Sequence, residues 1–177
     1  MSNHLFKFIK HLPHNTALDI STYILQLSIK NLVQSNKNMI LNKKLLSQKK
    51  GDVKIARKNV YLSLKKFNYW SGFKMLIKAE VVRSSHIYKN LKRVASLILK
   101  KYHKSKNLYR HQVAQAFKAK RLCRSIVGFI SKSSDGNFQK SLGEKFVLMK
   151  KSLERLNEIL DRKAILNQML RTKCTCN

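Results

Sequence analysis

The sequence predicts an all-α fold, a bundle of five or six helices with a basic N-terminal extension. Three observations carry that prediction. One Pro and five Gly in 177 residues leave few helix breakers. Apolar residues recur at steps of three and four along most of the chain, which marks one face of a helix. No stretch shows the period of two that a half-buried strand needs. The length suits one domain, or a domain with a tail, and an apolar share of 44% is enough for a core.

Residues 1–15 read as a basic leader or extension closed by Pro13. Thr16 and Asp19 have the spacing of a capping box, with Asp in place of Glu. Leu18, Tyr23, Leu25, Ile29 and Leu32 then mark a first helix over about 16–34. Residues 35–50, rich in Asn, Lys and Ser, read as a basic loop or frayed extension, and Gly51-Asp52 as a stop followed by an N-cap. Val53, Ala56, Val60, Leu64 and Phe67 give a second helical face. Trp70-Ser71-Gly72 interrupts it. Phe73, Leu76, Ile77 and Val81 begin a third segment, and Ile87, Leu91, Val94 and Ile98 continue the stripe. A polar, cationic break is expected from Lys100 to Asn107. The next helix, about 108–131, places Tyr109, Val113, Phe117, Ile126 and Ile130 inward. Ser133-Ser134-Asp135-Gly136 is a turn signal.

The basic helical domain is thus expected over 16–134, and a C-terminal helix with a short tail over 135–177. In that helix, about 138–170, Leu142, Met149 and Leu156 repeat every seven residues, with Phe146, Leu153 and Leu160 offset by four. The pattern serves either packing inside the bundle or a partner helix. Glu158 precedes Arg162 by four, the order of a favourable helical ion pair.

Charge bounds the function. Lys and Arg number 38 against 8 Asp and Glu, a net charge of +30. No Asp or Glu lies between Glu80 and Asp135. A surface of that kind requires an external polyanion or tolerates strong self-repulsion. No apolar run approaches the ~20 residues that span a bilayer, so no membrane partner is expected. Lys7, Lys10 and the apolar Leu5, Phe6, Ile9 and Leu12 would suit a mitochondrial presequence, but the first Arg is Arg57 and such segments are Arg-rich. Three cysteines, two of them near the end, give no disulfide framework and suit a reducing compartment.

The sequence does not read as an enzyme, and no cofactor is expected. Six of the eight carboxylates are isolated, and Glu158 and Asp161 have basic residues beside them on their helix. His4, His11 and His14 cluster without a Cys or carboxylate at ligand spacing. Cys174 and Cys176 need ligands from elsewhere, and Cys123 reads as a small buried hydrophobe. No Gly-rich phosphate loop occurs.

The cationic constellation is the candidate site. Lys89, Lys92, Arg93, Lys100, Lys101, Lys104, Lys106, Arg110, Lys118, Lys120, Arg121 and Arg124 fall within 36 residues, with Asn107 among them. Arg binds phosphate through a planar fork and Lys through a mobile point charge. A merely solvated helix face interleaves Glu or Asp with its Lys, and here they are absent. Neutralising six phosphates would give a logarithmic salt slope of roughly −4 to −5. Tyr102 and His103 are the expected base stackers, which favours RNA over duplex DNA, whereas Tyr109 reads as core.

The segment resembles the protein-subunit family of ribonuclease MRP that includes the nucleolus and neural progenitor protein. The resemblance covers about 30 residues. It rests on Leu97-Ile98-Leu99, on His103, Lys106-Asn107 and Arg110, and on Phe117, Lys120-Arg121-x-Cys123 and Ile126-Val127. Leu108-Tyr109 stand where that family has Gln-His. The resemblance implies a noncatalytic subunit of an RNA-based endonuclease that processes precursor ribosomal RNA in the nucleolus, alongside other protein subunits. The cleavage chemistry would belong to the RNA and its metal ions. The alternatives are a cytosolic or mitochondrial ribosomal protein, a helical adaptor using residues 138–170, and a chromatin protein on duplex DNA.

Overall fold

The computed structural model describes residues 2–69, 72, 74–133 and 143–172, and every long element in it is a helix. Helix α1 spans Ser2–Lys10, α2 His14–Tyr69, α3 Lys74–Ser133 and α4 Gly143–Thr172. The pattern predicts five or six helices; four occur among the described residues because expected segments merge. The stretch 35–50, expected as a loop or a frayed extension, and the expected stop at Gly51 both lie inside α2. The expected break from Lys100 to Asn107 lies inside α3.

The physical reason is that neither stretch contains a residue able to end a helix. Asn, Ser and Lys cost at most about 0.7 kcal/mol each relative to Ala, and no Pro is present. Serine hydroxyls turn back onto their own helix instead of competing with it. Ser105 Oγ donates to the Tyr102 carbonyl at 2.9 Å, and Ser63 Oγ to the Asn59 carbonyl at 3.0 Å. Asp52, expected as an N-cap, accepts from Lys49 Nζ at 2.8 Å one turn earlier. The capping box also fails to form. Helix α2 begins at His14, and the Ala17 N–H donates to the Pro13 carbonyl at 2.9 Å. Asp19 instead accepts from Lys145 Nζ at 2.7 Å.

The chain divides into two compact units: Met1–Gln34 with Arg110–Asn177, and Ser35–Tyr109. In the first unit Leu18, Leu25 and Leu32, seven residues apart, are fully or almost fully buried. Ala116, Ala119, Cys123, Ile126 and Ile130 on α3 and Met149, Leu156 and Leu160 on α4 complete that core. Small residues let the helices approach closely: Cys123 Sγ donates to the Ser21 carbonyl at 3.6 Å. The heptad residues of α4 are therefore spent on the unit's own core. Residues 2–10, expected as an extension, form α1, whose Ile9 is buried and whose Lys10 ammonium lies 5.3 Å from the Phe129 ring centre. Glu158 and Arg162 form no ion pair; an exposed pair of this kind contributes little in any case.

The second unit is an antiparallel helix pair. Leu41 lines a hollow with Lys104 and Leu108, Ile55 lines one with Ile87, and Ser63 meets Glu80. Its seam is thin. Leu46, Ala56 and Tyr109 are its buried apolar residues among those described.

Several residues expected inward stand exposed: Tyr23, Leu64, Leu76, Ile87, Val94 and Phe117. Periodicity gives a stripe wider than the actual contact line, and residues on the stripe's shoulders stay wet. Ser134-Asp135-Gly136, Leu142, Cys174 and Cys176 lie outside the described residues. Among the described residues no helix is long and apolar enough to cross a membrane.

Candidate nucleic-acid interface

Every candidate site residue lies on α3. Those from Lys89 to Asn107 belong to the second unit, and those from Arg110 to Arg124 to the first.

In the second unit Lys89, Arg93, Ser96, Lys100, His103 and Asn107 follow one another at steps of four, three, four, three and four. All six are exposed. Helix geometry puts residues three and four apart on one face, with Cβ atoms about 5–6 Å apart. They form a single cationic ridge on the side of α3 away from the seam. Lys92 and Lys104 are exposed on either flank of it. Lys101 is exposed too, and like Lys104 it lines a hollow with Leu41 and Leu108. Tyr102 and Lys106 are half-buried. With no break around it, Tyr102 leans into the seam, its ring centre 5.7 Å from that of His103. His103 is the freer of the two rings.

In the first unit Arg110, Ala114, Phe117, Arg121, Arg124 and Gly128 repeat the same four-three spacing, and all are exposed. Lys118 is exposed beside Phe117, while Lys120 is half-buried on another side of the helix. Phe117 keeps 45% of its surface in water, with the Arg121 guanidinium one turn after it and that of Arg110 two turns before it along the ridge. A flat π-face held among Arg side chains suits an unpaired base, which stacks on the ring while its phosphates meet the cations.

Sequence reasoning missed Phe117, although the signal was there. Phe117 and Ile126 are nine residues apart, about 180° around a helix, so both cannot face one core. The buried set Ala116, Ala119, Leu122, Cys123 and Ile126 settles which of them is inside. Tyr109, read as core, is buried, and burial raises its hydroxyl pKa above the usual 10.0.

The electrostatics of both ridges are uncompensated. Among the described residues three ion pairs form, Lys49–Asp52, Lys66–Glu80 and Lys145–Asp19. None uses a cation between Lys89 and Arg124. Among the described residues no three His, Cys, Asp or Glu side chains gather as metal ligands would. His4 and His11 are exposed, and His14 is half-buried with its ring centre 5.9 Å from that of Phe129. Cys123 is buried, and burial pushes its thiol from 9.0 up to about 12, which leaves it protonated and inert near neutral pH.

Scans against protein-family models, curated proteins and solved structures find no match to this chain.

Proposed function

We propose that this protein is a noncatalytic, RNA-binding structural subunit of a ribonucleoprotein, acting in ribosomal RNA processing in the nucleolus in the manner of a ribonuclease MRP subunit. The observation that carries the reading is the ridge Arg110–Phe117–Arg121–Arg124: cations without carboxylates around an exposed aromatic ring. Duplex DNA offers such a ring no free base face, whereas single-stranded RNA does. In the second unit, Lys89, Lys92, Arg93, Lys100, Lys101, Lys104 and Asn107 contact phosphate or sugar on this reading, and His103 stacks. Tyr102, Lys106 and Lys120, half-buried, contribute less. Other protein subunits of the particle are partners. No cofactor takes part, because the chemistry belongs to the RNA.

The test is a fluorescence-anisotropy titration with single-stranded RNA and with duplex DNA, for the native chain and for Phe117→Ala. The expected result is tighter binding to the RNA and a loss of about 5- to 150-fold in the variant, the range of one base stack. Equal affinity for duplex DNA, with no effect of the substitution, would discard the RNA reading for this site.

A second reading, a ribosomal protein, is favoured by one specific observation. Lys37, Lys43, Lys44, Lys50, Lys54, Arg57 and Lys58 on α2 are also exposed, so the cations are not confined to α3. A chain enclosed by ribosomal RNA would use several faces at once. Co-sedimentation separates the two: a ribosomal protein travels with mature subunits, a processing factor with precursor particles.

A further inference from the structure

The second unit leaves its apolar residues uncovered in an ordered way. Ile55, Leu62 and Tyr69 follow at steps of seven along α2 and are 62, 43 and 78% exposed. Across the seam Ile87 is 48% exposed. Two adjoining hollows share Asn59, Ser84 and Ile87; Ile55 lines one, and Leu62 and Tyr69 line the other. Together they make an apolar trough along α2 from Asp52 to Tyr69, about 25 Å at ~1.5 Å per residue. Its rim is cationic, with Lys65, Lys66 and Arg83. The two carboxylates in it are engaged: Asp52 by Lys49 at 2.8 Å, and Glu80 by the Ser63 hydroxyl at 3.3 Å and Lys66 at 3.6 Å. Lys65 and Arg83 form no ion pair.

We propose that this trough receives an amphipathic helix with acidic flanks, supplied by a protein partner. Three arguments select that occupant. The floor is largely aliphatic, and a helix of about four turns carrying Leu-type residues at steps of three and four covers such a floor. RNA fits less well: Tyr69 at one end offers a π-face, but Ile55, Leu62 and Ile87, the rest of the apolar floor, offer neither charge nor a π-face and would be dehydrated without a partner group. A second copy fits poorly as well. This unit carries 20 Lys and Arg against Asp52 and Glu80, and two such surfaces repel each other. Lys65 and Arg83, the rim cations without an ion pair, are complementary to Glu or Asp beside the partner's apolar stripe. The site is independent of the RNA ridges, whose residues it does not use.

The experiment uses the full chain and a fluorescent designed peptide of about 18 residues, Leu at steps of three and four and Glu elsewhere. A scrambled peptide of identical composition, titrated alongside, removes the apolar stripe and keeps the charge. At about 0.3 M salt, where rim charges are largely screened, the helical peptide is expected to bind about tenfold or more tighter than the scramble. Leu62→Ser with Ile87→Ser lowers that affinity by about tenfold or more while circular dichroism and oligouridine binding stay unchanged. At about 0.1 M salt or below, where the rim is less screened, Lys65→Glu with Arg83→Glu weakens it too. Equal binding of the two peptides overturns the proposal. So does a loss of oligouridine affinity in the Leu62 and Ile87 variant that matches its loss of peptide affinity, which would make the trough an RNA surface. Concentration-dependent dimerisation abolished by the same variant would make it a self-association surface and equally overturns the proposal.

Discussion

Replacing Arg110, Lys118, Arg121 and Arg124 together by Gln tests the cationic ridge most directly. All four are exposed, and none is in an ion pair, so folding should be nearly untouched; surface substitutions of this kind change stability by roughly 0.5 kcal/mol or less. If each cation neutralises one phosphate of a single strand, each contributes about −0.7 to the slope of log affinity against log salt, and four contribute about −2.8. Between 50 and 200 mM salt that is a factor of about 50 in affinity. The native chain should therefore lose about 50-fold more affinity over that interval than the variant does. The assay is anisotropy of labelled oligouridine across a potassium chloride series, with circular dichroism to confirm helix content. An unchanged slope would refute the reasoning: those side chains would then point at something other than phosphate. A smaller slope combined with no effect of Phe117→Ala would keep the electrostatic half and remove the stacking half.

The remaining predictions concern the fold. Gly51→Ala should stabilise the protein by about 0.5–1 kcal/mol, because Gly51 is mid-helix, exposed, without a left-handed φ, and an added Cβ meets nothing within 4 Å. A helix-ending Gly51 would give the opposite sign in urea unfolding. Leu156→Ala, at a fully buried position, should cost about 2–5 kcal/mol and lower the urea midpoint accordingly. In a Cys174→Ser, Cys176→Ser background the sole thiol, Cys123, should resist alkylation in the native state and react only as fast as the chain opens. The sign follows from the raised pKa: the stability it lends is intact below 9.0 and is lost as pH rises toward about 12, since the unfolded thiol ionises first. The comparison is with the same background carrying Cys123→Ala, which titrates alike elsewhere; a midpoint difference between the two that does not change across that interval would contradict the burial.

The helical class was legible because it needs only composition and period. The contact lines within it were legible where heptads are strict. Leu18, Leu25 and Leu32 stand seven apart on the first apolar stripe and are buried; Met149 and Leu156 stand seven apart in a pattern that suited either a core or a partner helix, and they are buried too. The helix ends were not. Asn- and Ser-rich stretches such as 35–50 read as loops because those residues favour turns, but the preference is a few tenths of a kcal/mol per residue and yields to packing. Gly51 misled for the same reason, since a glycine marks a stop only where the chain adopts a left-handed turn. The candidate site was legible as a charge pattern and not as a surface. Lys106 and Lys120 belong to the same run as Lys104 and Lys118, and only the helix turn decides that they are half-buried. Tyr102 was favoured over Phe117 because a break was expected around it; once α3 runs straight through, the exposed ring is Phe117.

The charge balance ties fold to function through one further consequence. At +30, the folded chain holds its cations closer together than the unfolded chain does, so compactness itself is opposed by repulsion. Added salt shortens the screening length from about 10 Å at 0.1 M to about 3 Å at 1 M. The free protein should therefore become more stable as salt rises, with a higher thermal midpoint. RNA does the same work by neutralisation, and at about 100-fold its Kd adds about 2.7 kcal/mol by mass action. Salt weakens that binding, however. With saturating oligouridine, then, the thermal midpoint should first fall and then rise along a salt series, while the free protein's midpoint only rises. Differential scanning fluorimetry reads both curves. Two parallel curves would mean that the polyanion leaves the native state's charge unrelieved, and the cations would then need another explanation.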